Sequence, residues 1–124
     1  MENDIVAINA HRDLILNQKL DEWEVWIDRK HSPLGNPYSH LEKQTLAGFH
    51  VATRDEAINS YAKWIVEQLS DDSVNVSVKR EYLKLKEIYQ RFGKLTMICW
   101  CVPHRCHGEI LKELILKDIQ ILTI

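Results

Sequence analysis

Three cysteines and two histidines fall within the run Cys99-Trp100-Cys101-Val102-Pro103-His104-Arg105-Cys106-His107. The rest of the chain holds no cysteine. Thiols and imidazoles this close together admit three chemistries. The first is a metal site. Cys99, Cys101, Cys106 and His107, or His104 in its place, offer four ligands of the types that zinc takes. Against it, all four come from one segment, whereas common structural sites join two separated knuckles. Adjacent Cys106 and His107 are also awkward partners for one ion.

The second chemistry is an activated thiol. Cys106 falls where a helix should begin, flanked by His104, Arg105 and His107. A helix amino terminus and neighbouring positive charge lower a thiol's pKa. Cys106 is then the candidate nucleophile and His107 or His104 the candidate base, with His31 and His40 as bases from elsewhere. The third is an anion pocket. Backbone amides at a strand-to-helix turn, the helix dipole and Arg105 would together suit a phosphate.

Bland readings stand beside these. Cysteine often packs as a small hydrophobe, and Cys99 alone is better explained as core. His107-Gly108-Glu109 matches half of the zinc deaminase signature. No cysteine follows Cys106 to complete it, so that reading is rejected.

A second polar group sits earlier, in His31-Ser32-Pro33-Leu34-Gly35-Asn36-Pro37-Tyr38. Ser32, Gly35 and Asn36 could form a second wall of the same pocket, with Asn36 bonding a ligand and Gly35 allowing its close approach. Composition alone favours a plain turn, since Gly, Asn and Pro are the usual turn residues. Trp23, Trp26, Trp64 and Trp100 could stack on a ring, although tryptophan more often fills core.

These residues need elements to hold them. Residues 5–8 read as a buried strand. Residues 23–29 alternate in part, with Trp23, Val25 and Ile27 on one face and Trp26 on the other. Residues 39–52 read as irregular. Thr53-Arg54-Asp55-Glu56 is a capping box and opens a helix through Leu69. A second helix is expected over 79–92, with Tyr82, Leu83, Leu85, Ile88, Tyr89 and Phe92 buried and Gly93 as a left-handed cap. Residues 95–101 read as a strand that puts Cys99 and Cys101 on one face and Trp100 on the other. A third helix starts at His107 or Gly108, and residues 118–124 read as a last strand. Strand, helix, strand at the carboxyl end suggests a right-handed parallel crossover. The expected fold is α/β: a single Rossmann-like three-layer domain over 1–124 with a mostly parallel sheet. The Cys/His run then lies at a strand's carboxyl end, where ligands bind in such sheets.

At 124 residues the chain is one domain's worth. Its net charge of −2 gives no nucleic-acid footprint. The start, Met1-Glu2-Asn3-Asp4, does not read as a signal peptide, and none is expected. No apolar run nears the ~20 residues of a membrane span. A cytoplasmic protein with reduced thiols is expected, in contact with no membrane.

The blocks Ser32-Pro33-Leu34-Gly35-Asn36-Pro37, Thr53-Arg54-Asp55-Glu56-Ala57-Ile58 with Tyr61 and Trp64, and Cys99 through Leu111 resemble the signature of domain of unknown function family 4326. Its members are small proteins of bacteria and phages. The resemblance covers about residues 25–117. It implies that Ser32, Gly35, Asn36, Cys99, Cys101, Cys106 and His107 line one site, and it supplies no activity. Residues 9–22 look like an insertion relative to that family, and residues 30–52 like a long functional loop.

The leading expectation is binding, with or without turnover, of a small nucleotide-like, phosphate-bearing ligand. Cys106 and His107 would carry any catalysis. Ser32, Gly35, Asn36, Cys101, His104 and Arg105 would contact the ligand, with no resident cofactor. The alternative is a zinc-stabilised, non-catalytic binding module that acts, if phage-encoded, on a host protein in the host cytoplasm. A thiol redox protein using Cys101 with Cys106 is the third reading.

Overall fold

A computed structural model describes residues 4–9, 20–39, 49–100 and 106–123. The elements in chain order are β1 (Ile5–Asn9), β2 (Glu24–Trp26), β3 (Tyr38–Ser39), β4 (Phe49–His50), α1 (Arg54–Leu69), α2 (Val76–Phe92), β5 (Leu95–Cys99) and α3 (His107–Thr123). This is the expected α/β class.

β5 is the middle strand of a three-stranded sheet ordered β1-β5-β2. Both pairings are parallel: Ile5 lies opposite Leu95 and Asn9 opposite Cys99, while Glu24 lies opposite Thr96 and Trp26 opposite Ile98. A central parallel strand is covered on both faces, which explains its apolar run Leu95-Thr96-Met97-Ile98-Cys99. β3 and β4 form a separate parallel pair, Tyr38 opposite Phe49 and Ser39 opposite His50. The stretch read as irregular over 39–52 therefore contains a short strand, and its residues 40–48 lie outside the described part.

The pleat divides the sheet's contacts. Leu95, Met97 and Cys99 join one buried cluster with Ile5, Val25, Ile27 and Leu34. Tyr61 and Ile65 of α1, Val78, Tyr82 and Leu85 of α2, and Leu111 and Ile115 of α3 belong to that cluster too. On the other face Ile98 packs with Ile8, Leu20 and Trp26. Among the described residues, all three helices thus gather on the face of Leu95, Met97 and Cys99.

Local signals set the helix ends. The Glu56 amide donates to Thr53 Oγ1 at 3.1 Å, and the Glu56 carboxylate accepts from the Ala52 amide at 3.0 Å. The box therefore closes one residue before its usual partner. α2 begins earlier than expected, because the Asn75 side chain caps it by accepting from the Val78 amide at 3.3 Å. Gly93 ends it at φ 72°, the left-handed region where glycine carries no Cβ penalty. Leu83, expected to be buried, is 54% exposed on the outer side of α2.

The last strand is a correction. Residues 118–123 continue α3. Leu111, Ile115 and Ile119 recur every four residues and all pack against the main cluster. No glycine or proline follows Gly108, so nothing stops the helix. The short apolar alternation at the end was part of a helical stripe. The expected crossover after α3 is therefore not formed; parallel pairing comes from β5 entering between β1 and β2. Among the described residues, no helix is long and apolar enough to cross a membrane.

Candidate functional site

The alternation of β5 sends two neighbouring residues to opposite faces. Cys99 turns to the helices and Trp100, which follows the strand, to the other side. Each leads to its own cluster.

On the helix side, Cys99 and Cys106 bring their sulfurs to 2.9 Å. Disulfide bonds measure ~2.05 Å, so these are two thiols in contact. Cys106 immediately precedes α3, and its Sγ accepts from the Gly108 amide at 3.4 Å. Its sulfur lies 3.5 Å from His107 Nδ1. His107 Nε2 is 2.6 Å from the Ile27 carbonyl oxygen. A carbonyl only accepts, so Nε2 carries a proton, and in the neutral ring Nδ1 is the acceptor facing Cys106. The His107 ring meets Tyr61 edge to face, with centroids 5.1 Å apart. The Tyr61 hydroxyl donates to the Leu34 carbonyl at 2.7 Å. Burial, and after it the charge on Cys106, raises the Tyr61 pKa well above its usual value. Cys106 and His107 are 1% and 4% exposed, so the candidate nucleophile and base both lie inside the core.

The second cluster joins the carboxyl ends of β2 and β5. Asp28 is only 5% exposed, and its carboxylate is met by His31 and Trp100. The His31 amide donates to its Oδ1 at 3.0 Å. His31 Nδ1 lies 2.9 Å from both of its oxygens. The Trp100 indole N–H donates to Oδ2 at 2.9 Å from a residue 72 positions away. A carboxylate oxygen accepts, so His31 carries a proton on the Nδ1 that faces Asp28. The His31 ring stacks on Trp26 at 4.3 Å and 21°. Trp26 in turn stacks with Trp100 at 6.2 Å and 29°, and Trp100 is 46% exposed. An imidazole with a supporting carboxylate thus stands beside an aromatic shelf.

The proline loop is what holds Asp28 and His31 in place. A Cβ on Gly35 would fall 2.4 Å from Arg29 Cα and 2.8 Å from the Asp28 carbonyl carbon. Glycine is needed there because the chain folds back onto its own backbone. Asn36 is buried; its Nδ2 donates to the Ala57 carbonyl at 3.1 Å and its Oδ1 accepts from the Tyr38 amide at 2.9 Å. Arg29 Nε donates to the Asn36 carbonyl, and another guanidinium nitrogen donates to the Tyr38 carbonyl at 2.8 Å. Ser32 Oγ accepts from the Leu34 amide at 3.1 Å. Ser32, Gly35 and Asn36 therefore make the turn and pin it to α1.

Cys101, His104 and Arg105 lie outside the described residues, as does His40. Among the described residues, no group of three or more His, Cys, Asp or Glu side chains could hold a metal ion. Of the proposed zinc ligands Cys99 and Cys106 converge, while His107 Nε2 is committed to the Ile27 carbonyl.

A family model, that of the domain of unknown function DUF4326, matches residues 9–117. The chain belongs to this family. The match also covers the stretch over 9–22 that resembled an insertion. No curated protein and no solved structure matches the chain. The three sequence blocks that carried the resemblance meet at Tyr61: its hydroxyl donates to Leu34 of the proline loop, and its ring packs on His107 of the Cys/His run. Asp28 was not singled out by the sequence, and Trp26 and Trp100 only as two of four tryptophans that could stack on a ring. The one local hint was an aspartate three residues before His31, at a strand end.

Proposed function

We propose that this protein binds and acts on a small, nucleotide-like, phosphate-bearing ligand at the carboxyl ends of β2 and β5. The observation that carries the reading is Asp28 holding His31 by Nδ1 beside the exposed Trp100 ring. The stacked Trp26 and Trp100 rings suit a planar base, since base–aromatic stacking is sequence-tolerant and worth ~1–3 kcal/mol. His31 Nε2 suits proton transfer as a general base or acid, with Asp28 fixing the tautomer and steadying the imidazolium. Parallel sheets favour ligands at this end of the strands. Arg105 and His104, a few residues after Trp100 in the chain, are the groups assigned to the phosphate. Gly108 is not, because its amide already serves the Cys106 sulfur.

A thermal-shift panel of nucleosides, nucleoside mono- and diphosphates and sugar phosphates tests the reading. Stabilisation by phosphate-bearing members is expected. A panel without any stabilising member would contradict it.

The second reading, a zinc-stabilised module that binds a host protein, draws on the approach of Cys99 to Cys106. Its signature is stoichiometric zinc whose removal by a chelator unfolds the protein.

A further inference from the structure

We propose that Cys99 and Cys106 are a reversible dithiol–disulfide pair, a redox modification site separate from the ligand site on the opposite sheet face. The two sulfurs are already 2.9 Å apart, so less than an ångström of approach separates them from a bond of ~2.05 Å. Both are anchored on regular structure, one at the last residue of β5 and the other just before α3. The pair is not the one the sequence suggested, which was Cys101 with Cys106.

The surroundings favour Cys106 as the attacking thiol. The Gly108 amide points at its sulfur, and the start of a 17-residue helix adds positive potential. His107, with its proton fixed on Nε2 by the Ile27 carbonyl, has Nδ1 ready to receive the Cys106 proton. This moves charge within the pair, so no net charge enters the core. Low-pKa thiols at helix starts are the reactive ones.

The oxidant is a small external disulfide. The Cys106 thiolate attacks one of its sulfurs, forming a mixed disulfide and expelling one small thiolate. The Cys99 thiolate then attacks the Cys106 sulfur, closing the internal bond and expelling the second. The two protons given up by the cysteines end on the two small thiols, and the two electrons of the dithiol reduce the external disulfide. Both sulfurs are buried, so exchange needs the first turn of α3 to open and should take ~minutes to hours. The product staples the end of β5 to the start of α3 and so brackets Trp100.

The test treats the folded protein with oxidised glutathione, then alkylates the remaining thiols in denaturant. The thiol count should fall from the three of the sequence to one, and return with dithiothreitol. Trypsin, cutting after Lys94, Arg105 and Lys112, should leave the peptide with Cys99 joined to the peptide with Cys106. The Cys101→Ala variant assigns the bond: its thiol count should fall from two to none. Cys101 sits on neither end of the proposed bond, so this variant keeps the test open even if Cys99→Ser or Cys106→Ser fails to fold. Unchanged thiols, a cross-link lost in Cys101→Ala, a lasting glutathione adduct without an internal bond, or thiols that react only after zinc is stripped would each overturn the proposal.

Discussion

His31 Nδ1 lies 2.9 Å from both carboxylate oxygens of Asp28, and the Trp100 indole N–H reaches the same carboxylate from the next strand. One buried carboxylate therefore orients an imidazole and ties β2 to β5. Asp28→Asn keeps the shape and turns a donor toward donors. It should cost about 1–3 kcal/mol in urea unfolding and weaken ligand binding and turnover. Unchanged stability and unchanged ligand response would show that the carboxylate does neither job.

Gly35→Ala should be more damaging than a surface loop substitution. The added Cβ meets Arg29 and Asp28 backbone at 2.4–2.8 Å, and no flexible side chain is there to yield. Overpacking of this kind costs about 1–3 kcal/mol or more. Because the displaced backbone carries Asp28 and Arg29, ligand affinity should fall with stability. A variant as stable as the parent would mean that the turn is not held this tightly.

Asn36→Ala tests the reading of the proline loop as an anchor. It removes the bonds to the Ala57 carbonyl and the Tyr38 amide and should destabilise by about 2–3 kcal/mol. Once the fold is restored by lower temperature, ligand affinity should recover. Lost affinity in a fully folded Asn36→Ala protein would instead make Asn36 a ligand contact.

Alkaline stability carries the mark of Tyr61. Burial first, and Cys106 second, raise its pKa above the usual value of 10.0. Below about pH 10 the phenol is protonated in both states and its stabilisation is complete. Above that, the unfolded chain releases the proton and the folded one keeps it. Stability should then fall by about 1.4 kcal/mol per pH unit from this group. Tyr82, raised by burial and by its bond to Asp118, acts in the same direction. Urea unfolding between about pH 9 and 11 should show a shallower decline in Tyr61→Phe than in the parent; equal slopes would refute the assignment.

What could be read in advance was local. The Thr53 cap, the left-handed Gly93 and the start of α3 at His107 each depend on a few neighbouring residues. The site depended on distance. Asp28 gains its meaning from Trp100, which no spacing rule connects to it. The proline loop read as a plain turn from composition and as a ligand wall from the resemblance, because glycine and asparagine serve both; the approach of Gly35 to Arg29 and the two bonds of Asn36 show how the turn is held. At the end of the chain, a period of two over seven residues looks the same as the edge of a helical stripe, and the packing of Leu111, Ile115 and Ile119 in and against one cluster decides for the helix. The division of Cys99 and Trp100 between two faces follows from the pleat, yet their different partners could not be known without the fold.

A ligand bound beside His31 and Trp100 is tested most directly by tryptophan fluorescence. A phosphate-bearing ligand found in the thermal-shift panel would be titrated into the parent protein, His31→Gln and Trp100→Phe. The parent should show saturable quenching. Trp100→Phe should lose most of that signal while calorimetry shows weakened binding, and His31→Gln should bind more weakly when compared at a temperature where all three proteins are fully folded. Equal affinity in all three proteins would place the ligand elsewhere and contradict the account.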